Sequence, residues 1–211
     1  MYDFPSRGLC AITNGPRADL LPVVREALAG GARLLQYRDL GDDHPRRHAE
    51  AQAIKRLCDE HGVPLLINGD AALAQAVAVA GVHLGETTED LASARERLGP
   101  QAIIGVSCFA SLERARAMVA AGASYVSFGA FFPSPTLPDA RLAPLDLLRQ
   151  SAALGVPRVA IGGITPENGR ALVDAGADYL AAISAVFGNA DVRASARRLA
   201  DLYRFPISES S

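Results

Sequence analysis

The sequence reads Ile161-Gly162-Gly163-Ile164 and, one helix and one strand later, Ala182-Ile183-Ser184-Ala185. Each segment closes an apolar run and places small residues just before a helical stretch. Glycine lets an anion approach the main chain closely, and the N–H groups at a helix start point outward as donors. Two such turns, each before a helix N-terminus, predict a main-chain site for one phosphate group.

The same alternation of strand and helix runs through the whole chain. Short apolar runs are typical of buried parallel strands, and the alanine- and leucine-rich stretches between them have helical spacing. The predicted strands are residues 9–13, 34–37, 64–68, 82–84, 103–107, 125–128, 159–161 and 180–183. The predicted helices are residues 20–29, 45–61, 71–80, 91–98, 111–121, 144–154, 166–175 and 192–203.

A small repeat supports eight equivalent units. Gly31-Ala32-Arg33, Gly122-Ala123-Ser124 and Gly176-Ala177-Asp178 each end a helix with a glycine suited to a left-handed cap, and Gly81-Val82-His83 is a variant. Eight strand–helix units predict an α/β fold, a (β/α)8 TIM barrel in a single compact domain over residues 1–206, with residues 207–211 as a flexible tail. A doubly wound sheet is the alternative, but it has no place for eight equivalent units.

Composition excludes several classes of partner. The chain has 211 residues, 49% hydrophobic content and a formal net charge of −2, which argues against binding to nucleic acid or to an anionic membrane. No segment resembles a signal peptide or reaches the length of a membrane span. Three cysteines without metal-ligand spacing favour a reduced, cytoplasmic setting.

In a barrel of this kind the active site lies at the carboxyl ends of the strands. Gln36 and Arg38 point to the same side of their strand, so both can face the barrel mouth, where the arginine can grip a second anion with two hydrogen bonds. The alternative is that Arg38 pairs with Asp39 or another carboxylate at the rim.

The next strands supply further polar candidates. Asn68 and Asp70 follow an apolar strand, either as ligands or as a turn in which Asp70 caps the next helix. His83 is either a ligand or, more commonly for a lone histidine, a hydrogen-bonded core residue. Cys108 has no neighbour in sequence that would lower its pKa, which favours a packing role.

The loop at residues 131–139 is long for a connection between a strand and a helix. Such loops at this face commonly form lids or contact ligands. The hydroxyl groups of Ser134 and Thr136 are therefore expected to complete the phosphate site.

Together these segments resemble the thiamine-phosphate synthase/TenI family over almost the whole chain. The matching segments are Leu35-Gln36-Tyr37-Arg38-Asp39, Leu66-Ile67-Asn68, Gly81-Val82-His83-Leu84-Gly85, Ile104-Gly105-Val106-Ser107, Tyr125-Val126-Ser127-Phe128-Gly129, Phe132-Pro133-Ser134-Pro135-Thr136, Val159-Ala160-Ile161-Gly162-Gly163-Ile164 and Ile183-Ser184-Ala185. The resemblance implies an enzyme that joins an aminopyrimidine methyl diphosphate to a thiazole phosphate, giving thiamine phosphate and diphosphate.

The resemblance also implies which residues act. Diphosphate leaves first, and the thiazole nitrogen attacks the resulting pyrimidine cation, so cationic groups and Mg²⁺ are expected to stabilise the leaving group. Arg38 and Ser107 take the catalytic positions. The substrate-binding positions are Gln36, Arg38, Asn68, Ser107, Ser134, Thr136, Gly163, Ile183 and Ser184, and Asp70 is added because it follows the same strand end as Asn68.

Departures from the family pattern concentrate on the diphosphate and metal contacts. Leu40 and Leu137 stand where the family has lysines, and Gly69 and Thr88 stand where it has the two metal-binding aspartates, so no metal ligand is predicted. The residues that could compensate are Asp70, Glu86, Asp90 and Arg141. The TenI branch also has glycine at the position of Gly69, but its proton-transferring histidine corresponds to Phe109.

Three functions are compatible with this pattern. The first is a thiamine-phosphate synthase with a diverged metal and diphosphate site. The second is a non-catalytic or TenI-like protein that binds thiazole phosphate or thiamine phosphate. The third is a different phosphosugar or phosphoheterocycle enzyme that uses the same cradle. The first two functions have phosphorylated thiazole or pyrimidine small molecules as partners, and the sequence leaves a homo-oligomer open.

Overall fold

The computed structural model describes residues 4, 7–86, 90–133 and 141–204. Within them, eight parallel strands form one sheet in which each strand pairs with the next and β8 pairs with β1. The closed (β/α)8 barrel confirms the predicted fold. The strands are β1 Gly8–Ile12, β2 Ala32–Tyr37, β3 Leu65–Asn68, β4 Gly81–Leu84, β5 Ile103–Ser107, β6 Tyr125–Phe128, β7 Arg158–Ile161 and β8 Tyr179–Ala182.

Helices surround the strands on the outside of the barrel. They are α1 Leu20–Ala29, α2 His44–His61, α3 Ala71–Val77, α4 Leu91–Leu98, α5 Leu112–Ala120, α6 Asp146–Gln150, α7 Gly169–Asp174, α8 Ser184–Phe187 and α9 Val192–Ala200, with 3₁₀ turns at Ser151–Leu154 and Asp201–Tyr203. None of the helices in the described ranges has the length and hydrophobicity that a membrane crossing requires. The tail at residues 207–211 lies outside those ranges.

Most differences from the predicted elements lie at helix ends. The predicted helix 144–154 is a short α6 followed by a 3₁₀ turn, and α7 starts at Gly169 rather than at residue 166. Helix α8 is absent from the prediction because four residues are too few to display a helical period.

Polar residues at helix starts explain why many helices begin where they do. Side-chain oxygens accept backbone N–H groups of the first turn in five helices, which satisfies donors that have no partner inside the helix. The capping residues are Asp43, Asp70, Asp90, Ser111 and Asp191. Of the two roles predicted for Asp70, the helix cap is therefore present.

The predicted glycine repeat holds at three of its four positions. Gly31, Gly122 and Gly176 have φ values of 102°, 98° and 102°, the left-handed region that favours glycine. Gly81 does not fit, because Ala78 takes the left-handed position at the end of α3 with φ of 54°. Glycine is needed at 81 for space instead, since a Cβ there would lie 1.8 Å from the carbonyl oxygen of Ile103.

The apolar side chains form two clusters because neighbouring strand residues face opposite sides of the sheet. The larger cluster fills the layer between strands and helices. The smaller lies inside the barrel, where it includes Cys10, Ile12, Leu34, Leu66 and Tyr179. This packed interior leaves the carboxyl ends of the strands as the place for a polar site.

Candidate active site

The ends of β7 and β8 form a concave main-chain surface, here called the cradle, consisting of residues 162–164 and 183–185. Gly162 and Gly163 have φ values of 101° and 62°. A Cβ on Gly163 would lie 2.4 Å from the carbonyl oxygen of Pro133, so only glycine fits at this position. The tight turn that the sequence predicts is therefore present.

The cradle offers donors that the protein does not use. Among the described residues, the backbone N–H groups of Gly163, Ile164, Ser184 and Ala185 have no internal acceptor. Ser184 and Ala185 are the first residues of α8, whose N–H groups have no partner within that helix. Four free donors on two adjacent strand ends suit a phosphate group.

The prediction that two helices begin at the cradle is half correct. Helix α8 begins there with Ser184, and Ile183 is its N-cap residue. Helix α7 begins only at Gly169, because a turn closed by the Thr165 carbonyl intervenes and the Asn168 side chain accepts the Thr165 N–H at 2.8 Å. The cradle therefore consists of individual N–H groups more than of two aligned helices.

A cavity of about 450 Å³ opens beside the cradle. Its outer edge carries an exposed ion pair in which Arg198 Nη2 lies 2.5 Å from Glu167 Oε1. Ligand pockets for small molecules usually begin at about 300 Å³. The cavity is therefore large enough for a phosphate and part of the molecule that carries it.

The polar side chains predicted on β2 and β3 meet at the barrel mouth. Gln36 Nε2 donates to Asn68 Oδ1 at 2.8 Å, and Gln36 is buried. Arg38 is held through its backbone, whose N–H donates to Thr13 Oγ1 at 2.7 Å. Its guanidinium has no hydrogen bond or ion pair with any residue that the structure describes.

The neighbouring carboxylate does not neutralise Arg38. Asp39 Oδ2 lies 2.6 Å from Arg46 Nη1, and Asp39 Oδ1 accepts the N–H of Gly41 at 2.8 Å. The alternative in which Arg38 pairs with Asp39 is therefore not realised. An arginine without a counter-charge at a barrel mouth is suited to an anionic ligand.

Ser107 is part of a hydrogen-bonded chain across three strands. His83 Nε2 lies 3.0 Å from Ser107 Oγ, and His83 Nδ1 lies 2.8 Å from the Tyr125 hydroxyl. The His83 and Tyr125 rings stack with centroids 5.6 Å apart. Gly105 makes room for this contact, because a Cβ there would lie 1.9 Å from the Tyr125 ring.

Burial determines the charge state of the hydrogen-bonded residues His83 and Tyr125. It lowers the pKa of His83 to about 4 and raises the pKa of Tyr125 well above its ordinary value. Both groups are therefore neutral near pH 7. The expectation of a hydrogen-bonded His83 is confirmed, but no local sequence signal indicates that its partner is Ser107, or that Tyr125 belongs to the same network.

Ser107 is also held from the helix that follows its strand. Arg114 Nε donates to the Ser107 carbonyl oxygen at 2.9 Å. Burial raises the pKa of Cys108 to about 11, and its thiol is buried, as expected for a packing role. Ser134, Thr136, Leu137 and Thr88 lie outside the described residues, so their predicted roles stay predictions.

Comparison with known proteins places this site in a family. The model of the family described as thiamine monophosphate synthase matches residues 9–186. The chain belongs to the thiamine monophosphate synthase family. This membership confirms the resemblance drawn from the sequence, and the chain is accordingly a member of a transferase family.

Individual relatives agree with this membership. A thiamine-phosphate synthase of Halorhodospira halophila is 50% identical over 193 residues, which cover 91% of this chain and 92% of that protein. One of Chromobacterium violaceum is 50% identical over 195 residues, covering 92% and 94%. The solved thiamine phosphate pyrophosphorylase of Pyrococcus furiosus is 34% identical with a TM-score of 0.84, covering 92% and 94%.

The described residues of this family member do not fit a magnesium site built on protein carboxylates. Mg²⁺ is usually bound through one or two carboxylates together with substrate phosphates. Asp70 is occupied on both oxygens, because Oδ1 accepts the Leu73 N–H at 2.8 Å and Oδ2 lies 2.9 Å from Arg47 Nη2. Asp90 is likewise engaged, by the N–H and the hydroxyl of Ser93.

Among the residues that the structure describes, the other positions near the mouth add no group of carboxylates that could hold a metal. The described residues include no cluster of three metal-ligating side chains. Gly69 has φ of 67° and carries no side chain, and Glu86 is exposed. Asp70 is thus accounted for by its cap and its ion pair with Arg47, whereas its predicted substrate contact stays a prediction.

Proposed function

We propose that this chain is a thiamine-phosphate synthase with a diverged diphosphate site, which joins an aminopyrimidine methyl diphosphate to a thiazole phosphate. One combination of features supports it best. Among the residues that the structure describes, the cradle has four free N–H groups, and Arg38 at the same barrel mouth has no partner for its guanidinium. One anion site suits the monophosphate, and the other suits the diphosphate. A reaction between two phosphorylated substrates needs both.

The proposed reaction places simple demands on the protein. The bond between the methylene carbon and the diphosphate oxygen breaks, and both electrons leave with the diphosphate. The lone pair of the thiazole nitrogen then forms the new C–N bond, so no proton has to be removed. Stabilising the departing anion and aligning two rings are the tasks left to side chains.

Ser107 is suited to donate a hydrogen bond into the mouth. In one tautomer the Tyr125 hydroxyl donates to His83 Nδ1, and the Nε2–H of His83 donates to Ser107 Oγ. The Ser107 hydroxyl hydrogen is then free for the substrate. We assign this donor role to Ser107, with His83 as a positioning residue, while Gln36 and Asn68 present amide groups to the pyrimidine ring.

The diverged part of the proposal rests on what surrounds Arg38. Leu40 is 71% exposed and apolar, so it adds no charge, and Asp70 is neutralised by Arg47. Stabilisation of the departing anion by the described residues therefore depends mainly on Arg38 and on neutral donors. We expect slower turnover than a site with two further lysines would give, because each lost donor costs roughly 2–4 kcal/mol of transition-state stabilisation.

The same observation supports a second candidate. A protein that binds thiazole phosphate or thiamine phosphate without turnover needs the cradle and the ring contacts, but no diphosphate clamp. The two functions make different predictions about product. They make the same prediction about binding of a thiazole phosphate.

The deciding experiment incubates the purified full-length chain with both substrates and measures thiamine phosphate by chromatography. Parallel reactions contain Mg²⁺ or EDTA, and Ser107→Ala and heat-treated protein are the controls. Formation of thiamine phosphate above both controls supports the synthase. Calorimetric binding of the thiazole phosphate without any product would overturn it in favour of the second candidate.

A further inference from the structure

Phe109 is an aromatic residue at the barrel mouth, and its backbone has a conformation that is unfavourable for bulky side chains. Phe109 follows β5, has φ of 53° and is 44% exposed. Residues other than glycine, asparagine and aspartate are uncommon in the left-handed region. A residue with a strained backbone and a solvated ring does not contribute the stability that a buried aromatic residue normally contributes.

The surroundings hold this ring in a defined place. The Phe109 carbonyl oxygen accepts the Gly129 N–H at 3.1 Å, which ties the end of β5 to the end of β6. The guanidinium carbon of Arg114 lies 5.8 Å from the centre of the Phe109 ring. The same arginine donates to the carbonyl of Ser107, so the ring and the proposed catalytic serine share one support.

We propose that Phe109 is a stacking residue on which the heteroaromatic ring of a substrate lies. The inference rests on the proposed function, because that function supplies planar nitrogen heterocycles next to Ser107. A substrate ring would cover the exposed phenyl surface, and this gain on binding would account for a strained aromatic residue here. Stacking depends on a planar π surface more than on hydrogen bonding, so thiazole and aminopyrimidine are both suitable.

The test separates ring binding from anion binding. Phe109→Asn removes the ring and retains a residue that tolerates positive φ, whereas Phe109→Tyr keeps the ring. Leu21→Ala is the control, since Leu21 is also an exposed apolar residue, at 37%, but lies on α1. Calorimetry measures thiazole phosphate, aminopyrimidine methyl diphosphate and, as a probe without a ring, inorganic phosphate.

For Phe109→Asn we expect affinity for one of the two heterocycles to fall roughly tenfold, the scale of one lost aromatic stack. Affinity for inorganic phosphate stays unchanged, and the heterocycle that responds identifies the ring that stacks. Phe109→Tyr and Leu21→Ala bind like the parent protein. The melting temperature of Phe109→Asn is equal to or above that of the parent, because backbone strain is relieved.

Four results would overturn the inference. Equal loss of phosphate and heterocycle affinity, or a lower melting temperature for Phe109→Asn, would assign the ring a structural role. Unchanged affinity for both heterocycles would remove the stacking role while the proposed function stands. Failure of the parent protein to bind either heterocycle would instead defeat the proposed function, and the inference with it.

Discussion

The imidazole Nε2 of His83 lies 3.0 Å from the hydroxyl oxygen of Ser107. This contact links β4 to β5 at the barrel mouth and continues through Nδ1 to Tyr125 on β6. A neutral imidazole in such a chain fixes the direction in which the serine hydroxyl points. The position of the serine is therefore coupled to the protonation state of a histidine.

The partly buried His83 predicts a pH dependence of folding stability. Burial lowers its pKa from 6.5 to about 4, so between these values the unfolded chain binds a proton that the folded protein does not. Stability from this residue is complete above pH 6.5 and declines as the pH falls towards 4, by at most about 3 kcal/mol. Urea unfolding between pH 7.5 and 4.5 measures this decline.

His83→Gln provides the comparison, because glutamine does not titrate. We expect the unfolding free energy of the variant to vary less with pH over the same range. Identical slopes for the two proteins would contradict the assignment of the pH dependence to His83.

The glycine at the centre of the cradle can be tested against a matched glycine elsewhere. Gly163 and Gly155 have φ values of 62° and 71°, but a Cβ on Gly155 meets nothing within 4 Å. Gly155→Ala should cost only the left-handed penalty of about 1–2 kcal/mol and leave inorganic phosphate binding unchanged. Gly163→Ala should cost more and weaken phosphate binding, because the turn has to move away from Pro133.

Chemical denaturation and calorimetry with inorganic phosphate measure these two effects. Equal loss of stability in the two variants would mean that the crowding at Gly163 is relieved without cost. Unchanged phosphate affinity in Gly163→Ala would exclude this turn from the anion site.

We expect substitutions of Arg38 and of Arg46 to have opposite effects on diphosphate affinity and on stability. Arg38 has no partner among the described side chains, whereas Arg46 contacts both Asp39 and Glu50. We expect Arg38→Ala to weaken diphosphate binding about tenfold, the loss of one charge-assisted contact, with no change in melting temperature.

Arg46→Ala should behave in the opposite way. It leaves the buried Asp39 carboxylate without its ion pair, so the melting temperature falls. Diphosphate affinity, measured by calorimetry, should stay close to that of the parent protein. A stability loss in Arg38→Ala as large as that in Arg46→Ala would show that Arg38 has a structural partner.

Gly69 has no carboxylate at the end of β3, so we predict that diphosphate binding depends only weakly on Mg²⁺. A carboxylate introduced at this position should increase that dependence. The affinity of the parent protein for diphosphate, measured by calorimetry, should be similar in Mg²⁺ and in EDTA. Gly69→Asp places a carboxylate at the end of β3, and aspartate tolerates the φ of 67° found there. This variant should bind diphosphate at least about tenfold more tightly with Mg²⁺ than without it, a difference of roughly 1.4 kcal/mol.

Gly62→Asp is a matched control for this experiment. Gly62 has φ of 63° and caps the end of α2, and a Cβ at this position would have nothing within 4 Å. The Gly62→Asp variant should acquire no metal dependence. A parent protein whose diphosphate affinity already rises strongly with Mg²⁺ would contradict the prediction that the described residues of the mouth supply no carboxylate ligand for the metal.

The sequence predicts the barrel well because the relevant signals are local. Eight apolar runs, helical spacing between them and glycines at helix ends each depend on neighbouring residues. The cradle is equally local, since two short segments contain all of its donors. Helix α8 escapes prediction because it is shorter than the pattern that would reveal it.

The mouth is harder to predict because it depends on strand register. His83 is separated from Ser107 by 24 positions and from Tyr125 by 42. They meet because His83 lies beside Gly105 on the next strand, and the missing side chain at Gly105 admits the Tyr125 ring. The pairing of Asp39 with Arg46 rather than with Arg38 is likewise a matter of side-chain direction.

The cradle also differs from the mouth in how it responds to mutation. Its donors are peptide groups, and outside the crowded Gly163 every amino acid except proline retains them when one side chain replaces another. The mouth depends on side chains such as those of Gln36 and Arg38, which a single codon change can replace. Mutations can therefore change the reaction at the mouth while the cradle still binds a phosphate ester. New activities can evolve on this barrel without loss of phosphate binding.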